Sequence, residues 1–160
     1  MSKKYFFVFA AFLLIAMSSC DPQINCYSEY RDFAVASFNI NTSDSSSLGL
    51  RRVYVEGYED SIIVSDDTVS KVLLPLNPRV NTTRYVFETT DNNIYTLEMK
   101  YKTISRLISP ECGPEVLFRE LTATDYNYDT VQVFNRTTLR ITTNDISTAP
   151  ADIRLFVSSN

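Results

Sequence analysis

The chain has no histidine and no tryptophan, and among its 160 residues it has only three glycines and three cysteines. Without histidine it lacks the commonest general base, the partner of serine and cysteine nucleophiles, and the usual ligand of zinc and iron. Catalysis of the hydrolase-triad kind is therefore not expected, nor is a resident metal or other cofactor. Without tryptophan it lacks the best ring for stacking on sugars. Three glycines are few for a closed barrel, whose strands bend sharply at glycine kinks. Basic residues are outnumbered, 15 against 19 acidic, and none form a lysine-rich run. A nucleic-acid partner has no counterion release to draw on.

The first twenty residues stand apart. Lys3 and Lys4 precede thirteen apolar or aromatic residues, Tyr5 to Met17, and then Ser18-Ser19-Cys20. That run suits a secretory leader and is too short for a bilayer core of roughly 30 Å. Small residues before the cysteine look like a bacterial lipobox, with Met17 where leucine is usual. The resemblance implies cleavage before Cys20, whose thiol then carries a diacylglycerol. Two or three acyl chains hold a protein far more firmly than one, at about 0.8 kcal/mol per buried methylene. Residues 1–19 are read as leader, 20–29 as lipidated tether and 30–160 as one domain. Loss of Lys3 and Lys4 leaves 13 basic against 19 acidic residues, a net charge of −6. Membrane contact is then expected through lipid, and the location is the cell envelope, with the outer membrane preferred.

With Cys20 assigned to lipid, Cys26 and Cys112 remain in an exported, oxidising setting. A disulfide between them is expected, closing a loop of 86 residues. The alternatives are two buried free thiols or a metal pair, and a zinc or iron site would lack ligands in a chain without histidine.

Beyond the tether, period-two alternation dominates, the mark of strands with one face on a core. It is clearest at Tyr95, Leu97, Met99 and Tyr101, with polar residues between. Arg84 to Thr89 pairs with it across Asp91-Asn92-Asn93, residues that accept positive φ in tight turns. Further strands are predicted at Phe33–Ile40, Arg52–Glu56, Ser61–Val64, Lys71–Leu74, Val116–Leu121, Thr130–Phe134, Thr138–Thr142 and Ile153–Phe156. Pro75, Pro78, Pro110 and Pro114 mark connections. The prediction is an all-β antiparallel sandwich, immunoglobulin-like in layout, with a partly open barrel as the alternative.

Candidate chemistry is sparse. Glu59/Asp60, Asp66/Asp67 and Glu111/Glu115 are carboxylate pairs, but glycoside hydrolysis needs two acids flanking a cleft, and acids on loops are ordinarily solvated surface. Asp66-Asp67 and Asp91-Asn92-Asn93 offer hard oxygen ligands for calcium, although the second is explained by its turn. The preferred ligand contact is Tyr126 with Tyr128, two rings between strands that would present themselves on a rim. Tyr54 and Tyr58, beside Gly57, are the second choice.

Two resemblances complete the reading. Asp60-Ser61-Ile62, Asp67-Thr68-Val69 and Asp129-Thr130-Val131 resemble the O-glycosylation triplet of Bacteroidetes-type periplasmic proteins, which marks Ser61, Thr68 and Thr130 as candidate acceptors. Asn-x-Ser/Thr triplets at Asn41, Asn81 and Asn135 have the eukaryotic spacing and are discounted in a bacterial setting. The lipobox cysteine, the nearby Cys26, Val53-Tyr54-Val55-Glu56-Gly57 with Asp60-Ser61, and Ser109-Pro110-Glu111-Cys112-Gly113 are similar in layout to small Bacteroidetes-type lipoproteins of a domain-of-unknown-function family. The resemblance implies address and fold and adds no chemistry. The expected function is a non-enzymatic envelope lipoprotein with a structural or protein-interaction domain, whose sheet edges are open to strand addition. The alternative is a surface glycan-binding or adhesion module.

Overall fold

The computed structural model describes residues 26, 28–40, 46–134, 137–141 and 148–158. The leader and lipidated tether expected from the sequence lie outside the described residues up to residue 25, Cys20 included, as do Asn41 and Asn135. Nine strands follow in order: β1 (Phe33–Ile40), β2 (Leu48–Val55), β3 (Tyr58–Val69), β4 (Lys71–Pro75), β5 (Thr82–Thr89), β6 (Ile94–Ser109), β7 (Gly113–Tyr126), β8 (Thr130–Val133) and β9 (Ile153–Val157). They form two sheets, β4-β1-β9-β8 and β3-β2-β5-β6-β7. One core lies between them, with Ala34, Ala36, Phe38 and Leu155 from the first and Leu50, Val53, Phe87, Leu97 and Met99 from the second. This is the expected sandwich. Each fully buried large side chain in it contributes roughly 1.5–3 kcal/mol of hydrophobic stabilisation.

The alternation at Tyr95–Tyr101 resolves as predicted, with Leu97, Met99 and Tyr101 buried. At the β5–β6 turn Asn92 takes φ +63°, and the Thr89 amide donates to the Asn93 carbonyl at 2.9 Å. The Glu56-Gly57 turn between β2 and β3 likewise has Gly57 at φ +84°, where a side chain would be strained.

One expectation is corrected. The strand predicted at Thr138–Thr142 is, among the described residues, only an isolated bridge between Tyr30 and Arg140. Its backbone bonds are single contacts rather than a ladder: Leu139 N–H to the Phe118 carbonyl of β7 at 3.0 Å, and Arg31 N–H, from the segment before β1, to the Leu139 carbonyl at 3.2 Å. The sandwich is antiparallel except at one seam, where β1 pairs with β9 in parallel, Phe38 opposite Leu155. In the larger sheet β5, β6 and β7 are consecutive neighbours.

The sheet edges are managed rather than open. β4 and β8 are short edge strands of five and four residues, and β4 ends on Pro75. β3 is long but carries register shifts beside Tyr54, with Asp66 at φ +46°. β7 is shifted against β6 at three places, with Glu120 at φ +56°. Short or bulged edges twist away from a straight incoming strand, so strand addition has little regular backbone to use.

β1 is buried on both faces, and its outer side is held by a buried ion pair. Arg31 Nη2 donates to Asp152 Oδ1 at 2.9 Å, while the Val35 amide donates to Asp152 Oδ2 at 2.7 Å. The pair ties the chain after the tether to the start of β9, so N- and C-terminal strands are fixed as one unit.

Candidate functional site

Tyr126 and Tyr128 do not form a rim. Asn127 pins the corner after β7: its Oδ1 accepts from the Thr96 amide at 2.6 Å and its Nδ2 donates to the Ile94 carbonyl at 2.9 Å. That turn sends Tyr126 outward, 41% exposed, and Tyr128 inward, 4% exposed. The Tyr128 ring stacks on Tyr95 at 4.9 Å and meets Phe87 edge-on at 5.8 Å. Burial pushes its hydroxyl well above the usual tyrosine range. The two-ring contact read from the sequence is therefore a core ring and a surface ring.

The second choice fares differently for its two members. Tyr54 lies on the outer face of the five-stranded sheet, under the Arg52 guanidinium at 4.8 Å, with its hydroxyl 3.3 Å from Glu88. Arg52 and Glu88 form a two-pronged ion pair at 2.6 and 2.7 Å. Tyr58 stands apart, 63% exposed, at the mouth of a groove of about 460 Å³ between the start of β3 and the connection from β4 to β5.

Rigid backbone forms one wall of this groove. The Tyr101 hydroxyl meets Thr83 Oγ1 at 2.7 Å, accepts from the Asn77 amide at 3.0 Å and donates to the Asn77 carbonyl at 3.1 Å. The Tyr85 hydroxyl donates to the Pro75 carbonyl at 2.6 Å. Two buried rings thus anchor the proline-bracketed connection, which brings Leu76 and Val80 to the groove opposite Val55 and Ile63. The polar end is Arg84, 3.3 Å from Glu98 and 3.6 Å from Glu56. Such a surface offers one aromatic face, an apolar floor, and donors and acceptors at one end. It suits a short segment or a polyhydroxyl compound. Sequence reasoning marked Tyr58 and the prolines but missed Arg84 and Asn77, because a lone arginine in a strand reads as solvated surface.

Cys26 and Cys112 are joined, with Cα atoms 5.4 Å apart. The bond staples the segment ahead of β1 to the turn of the β6–β7 hairpin. Beside it, Ser28 Oγ donates to Glu115 Oε2 at 2.6 Å, Arg106 Nε donates to Glu115 Oε1 at 2.9 Å, and the Arg106 guanidinium lies 5.0 Å from the Tyr30 ring centre. The hydrogen bond from Ser28, followed by the bond and charge of Arg106, lowers the Glu115 carboxyl below its ordinary range. A lowered folded value means that this contribution to stability is complete above the ordinary glutamate pKa and is lost as pH falls through the folded one. Urea midpoints measured from neutral to acid pH should therefore fall, and Glu115→Gln should show a shallower acid decline than the parent.

The remaining sequence candidates are dispersed. Ser61 lines the Tyr58 groove, Thr68 lies near the end of β3 and Thr130 opens β8, so all three hydroxyls sit on edge strands. Glu59 is bound by the Gly57 amide at 3.0 Å, Asp67 by the Thr68 amide at 2.7 Å, and Asn92 by Arg51. Among the described residues, no three or more His, Cys, Asp or Glu side chains converge on one point, and no helix is long and apolar enough to cross a membrane.

Comparison with known proteins gives one match. Residues 51–149 match a family described as one of unknown function, DUF6452. No curated protein and no solved structure matches the chain. The matched span takes in the Tyr58 groove, the whole β6–β7 hairpin and Cys112, and stops short of Cys26. It covers more than half of the sequence, and the chain belongs to this family of unknown function, DUF6452.

Proposed function

We propose that the chain is a non-enzymatic, lipid-anchored lipoprotein of a bacterial cell envelope whose sandwich is a structural and protein-interaction domain. The observation that carries this reading is the joined pair Cys26–Cys112. A disulfide fits an exported protein, and this one fastens the body to the chain six residues after the lipobox cysteine, where pull from an anchor would arrive. The leader, with its two lysines and thirteen-residue apolar run, supplies the route. The Bacteroidetes-type address belongs to this proposal, as does attachment of lipid at Cys20.

The interaction surface is the Tyr58 groove rather than a sheet edge. Its rigid wall, apolar floor and exposed ring take a short extended segment or loop of an envelope protein, while the bulged and shortened edges disfavour strand addition. A photo-crosslinking residue placed at Tyr58 in cells should trap a discrete protein, whereas the same residue at Gln132 should not. Tyr58→Ala should abolish that partner's recovery and leave the melting temperature nearly unchanged, since exposed substitutions stay within about 0.5 kcal/mol.

A second reading, binding of a surface glycan, is favoured by the same exposed ring beside Arg84, Glu98 and Asn77. Saturable binding to a glycan array that is lost in Tyr58→Ala, with no protein trapped at that position, would replace the first reading by this one.

A further inference from the structure

We infer that the tip of the β6–β7 hairpin rests in the membrane interface and sets the orientation of the domain on the bilayer; this rests on the lipid anchor proposed at Cys20. Cys20 and Cys26 are six residues apart, and extended chain spans at most about 3.6 Å per residue, so Cys26 lies within roughly 22 Å of the lipidated position. Because Cys26 is bonded to Cys112, the hairpin turn is held within that reach. β6 has 16 residues, so at about 3.4 Å per residue its other end, at Ile94, is roughly 50 Å away.

The surface so placed is apolar. Leu107 is 60% exposed and Val116 40% exposed, and Pro114 pairs with Leu107 across the hairpin. Pro110 is exposed at the turn, with Ile108 half-buried beside it. Charge agrees with this placement. From Thr103 to Arg119 the only charged residues are Arg106, Glu111, Glu115 and Arg119, which sum to zero, whereas the chain after the leader carries −6. A hairpin of no net charge meets less repulsion from anionic headgroups than the acidic body as a whole. A protein partner would have to fit beneath a body tethered this closely, so the bilayer is the occupant. Leu107 and Pro110 then sit where apolar side chains of interfacial proteins do, about 5–10 Å into the headgroup and acyl boundary.

The lack of tryptophan makes the test direct. The full-length lipoprotein carrying Leu107→Trp is purified, its acylation at Cys20 is verified by mass, and it is reconstituted into phosphatidylethanolamine/phosphatidylglycerol vesicles with brominated acyl chains. Ile94→Trp serves as control, since it places the same probe on another exposed apolar residue at the far end of the same strand. Loss of emission and a blue shift in L107W, with I94W unaffected, is the expected result. Acylated L107W quenched no more than I94W would overturn the docking while leaving the anchor standing. Absence of an acyl group at Cys20 would overturn the anchor and this inference with it.

Discussion

Replacing Cys26 and Cys112 together by serine should lower stability by about 4–5 kcal/mol, because the bond closes an 86-residue loop whose freedom returns to the unfolded chain. For a domain of this size that corresponds to a fall of about 10–20 °C in melting temperature. Folding should survive. The core between the sheets does not include either cysteine, and the tether end retains Ser28–Glu115, the Tyr30 ring contacts and the Arg31–Asp152 pair. The denaturant slope should rise as the unfolded state expands. Thermal and urea unfolding of the parent with and without reductant, beside the double serine variant, measures this. Equal melting temperatures in all three would mean that the crosslink constrains nothing.

The second large effect separates two tyrosines two positions apart. Tyr128→Ala should cost about 3–5 kcal/mol, the usual price of removing a buried aromatic side chain, here one packed on Tyr95 and Phe87. Tyr126→Ala should stay within about 0.5 kcal/mol, as exposed positions do. Tyr128→Phe adds a sharper check. The Tyr128 hydroxyl is buried with no hydrogen-bond partner among the described residues, so losing it should change stability by less than about 1 kcal/mol. Chemical denaturation of the three variants decides the matter. Equal small losses for both alanine variants would restore the rim that the sequence pattern proposed.

Strand content was legible because alternation is local: a strand with one buried face writes a period of two into the sequence, as at Tyr95–Tyr101. The β5–β6 turn was legible because asparagine tolerates the positive φ that Asn92 adopts. Strand lengths were less so. β3, β6 and β7 run well past their predicted ends, since bulges break the period without ending the pairing, and the β6–β7 extension is held by the disulfide and by Glu115, partners distant in sequence. Thr138–Thr142 alternates like a strand, but among the described residues it makes only the Tyr30–Arg140 bridge, because pairing is a property of neighbours. Tyr128 was misplaced for the same reason: the direction of a ring after a strand end depends on how Asn127 fastens the corner. The Tyr58 groove was half visible. Gly57 and the two prolines signal its turns, while Arg84, Asn77 and Leu76 arrive from segments far apart in the chain.

The proposed lipid attachment at Cys20 of a stapled sandwich is tested most directly by intact-mass analysis of the protein purified from the cells that make it. The expected product begins at Cys20, carries two or three acyl chains, and shows no alkylatable thiol until it is reduced, after which Cys26 and Cys112 both react. A product that retains residues 1–19, or an unacylated Cys20, or free thiols at Cys26 and Cys112 before reduction, would contradict it.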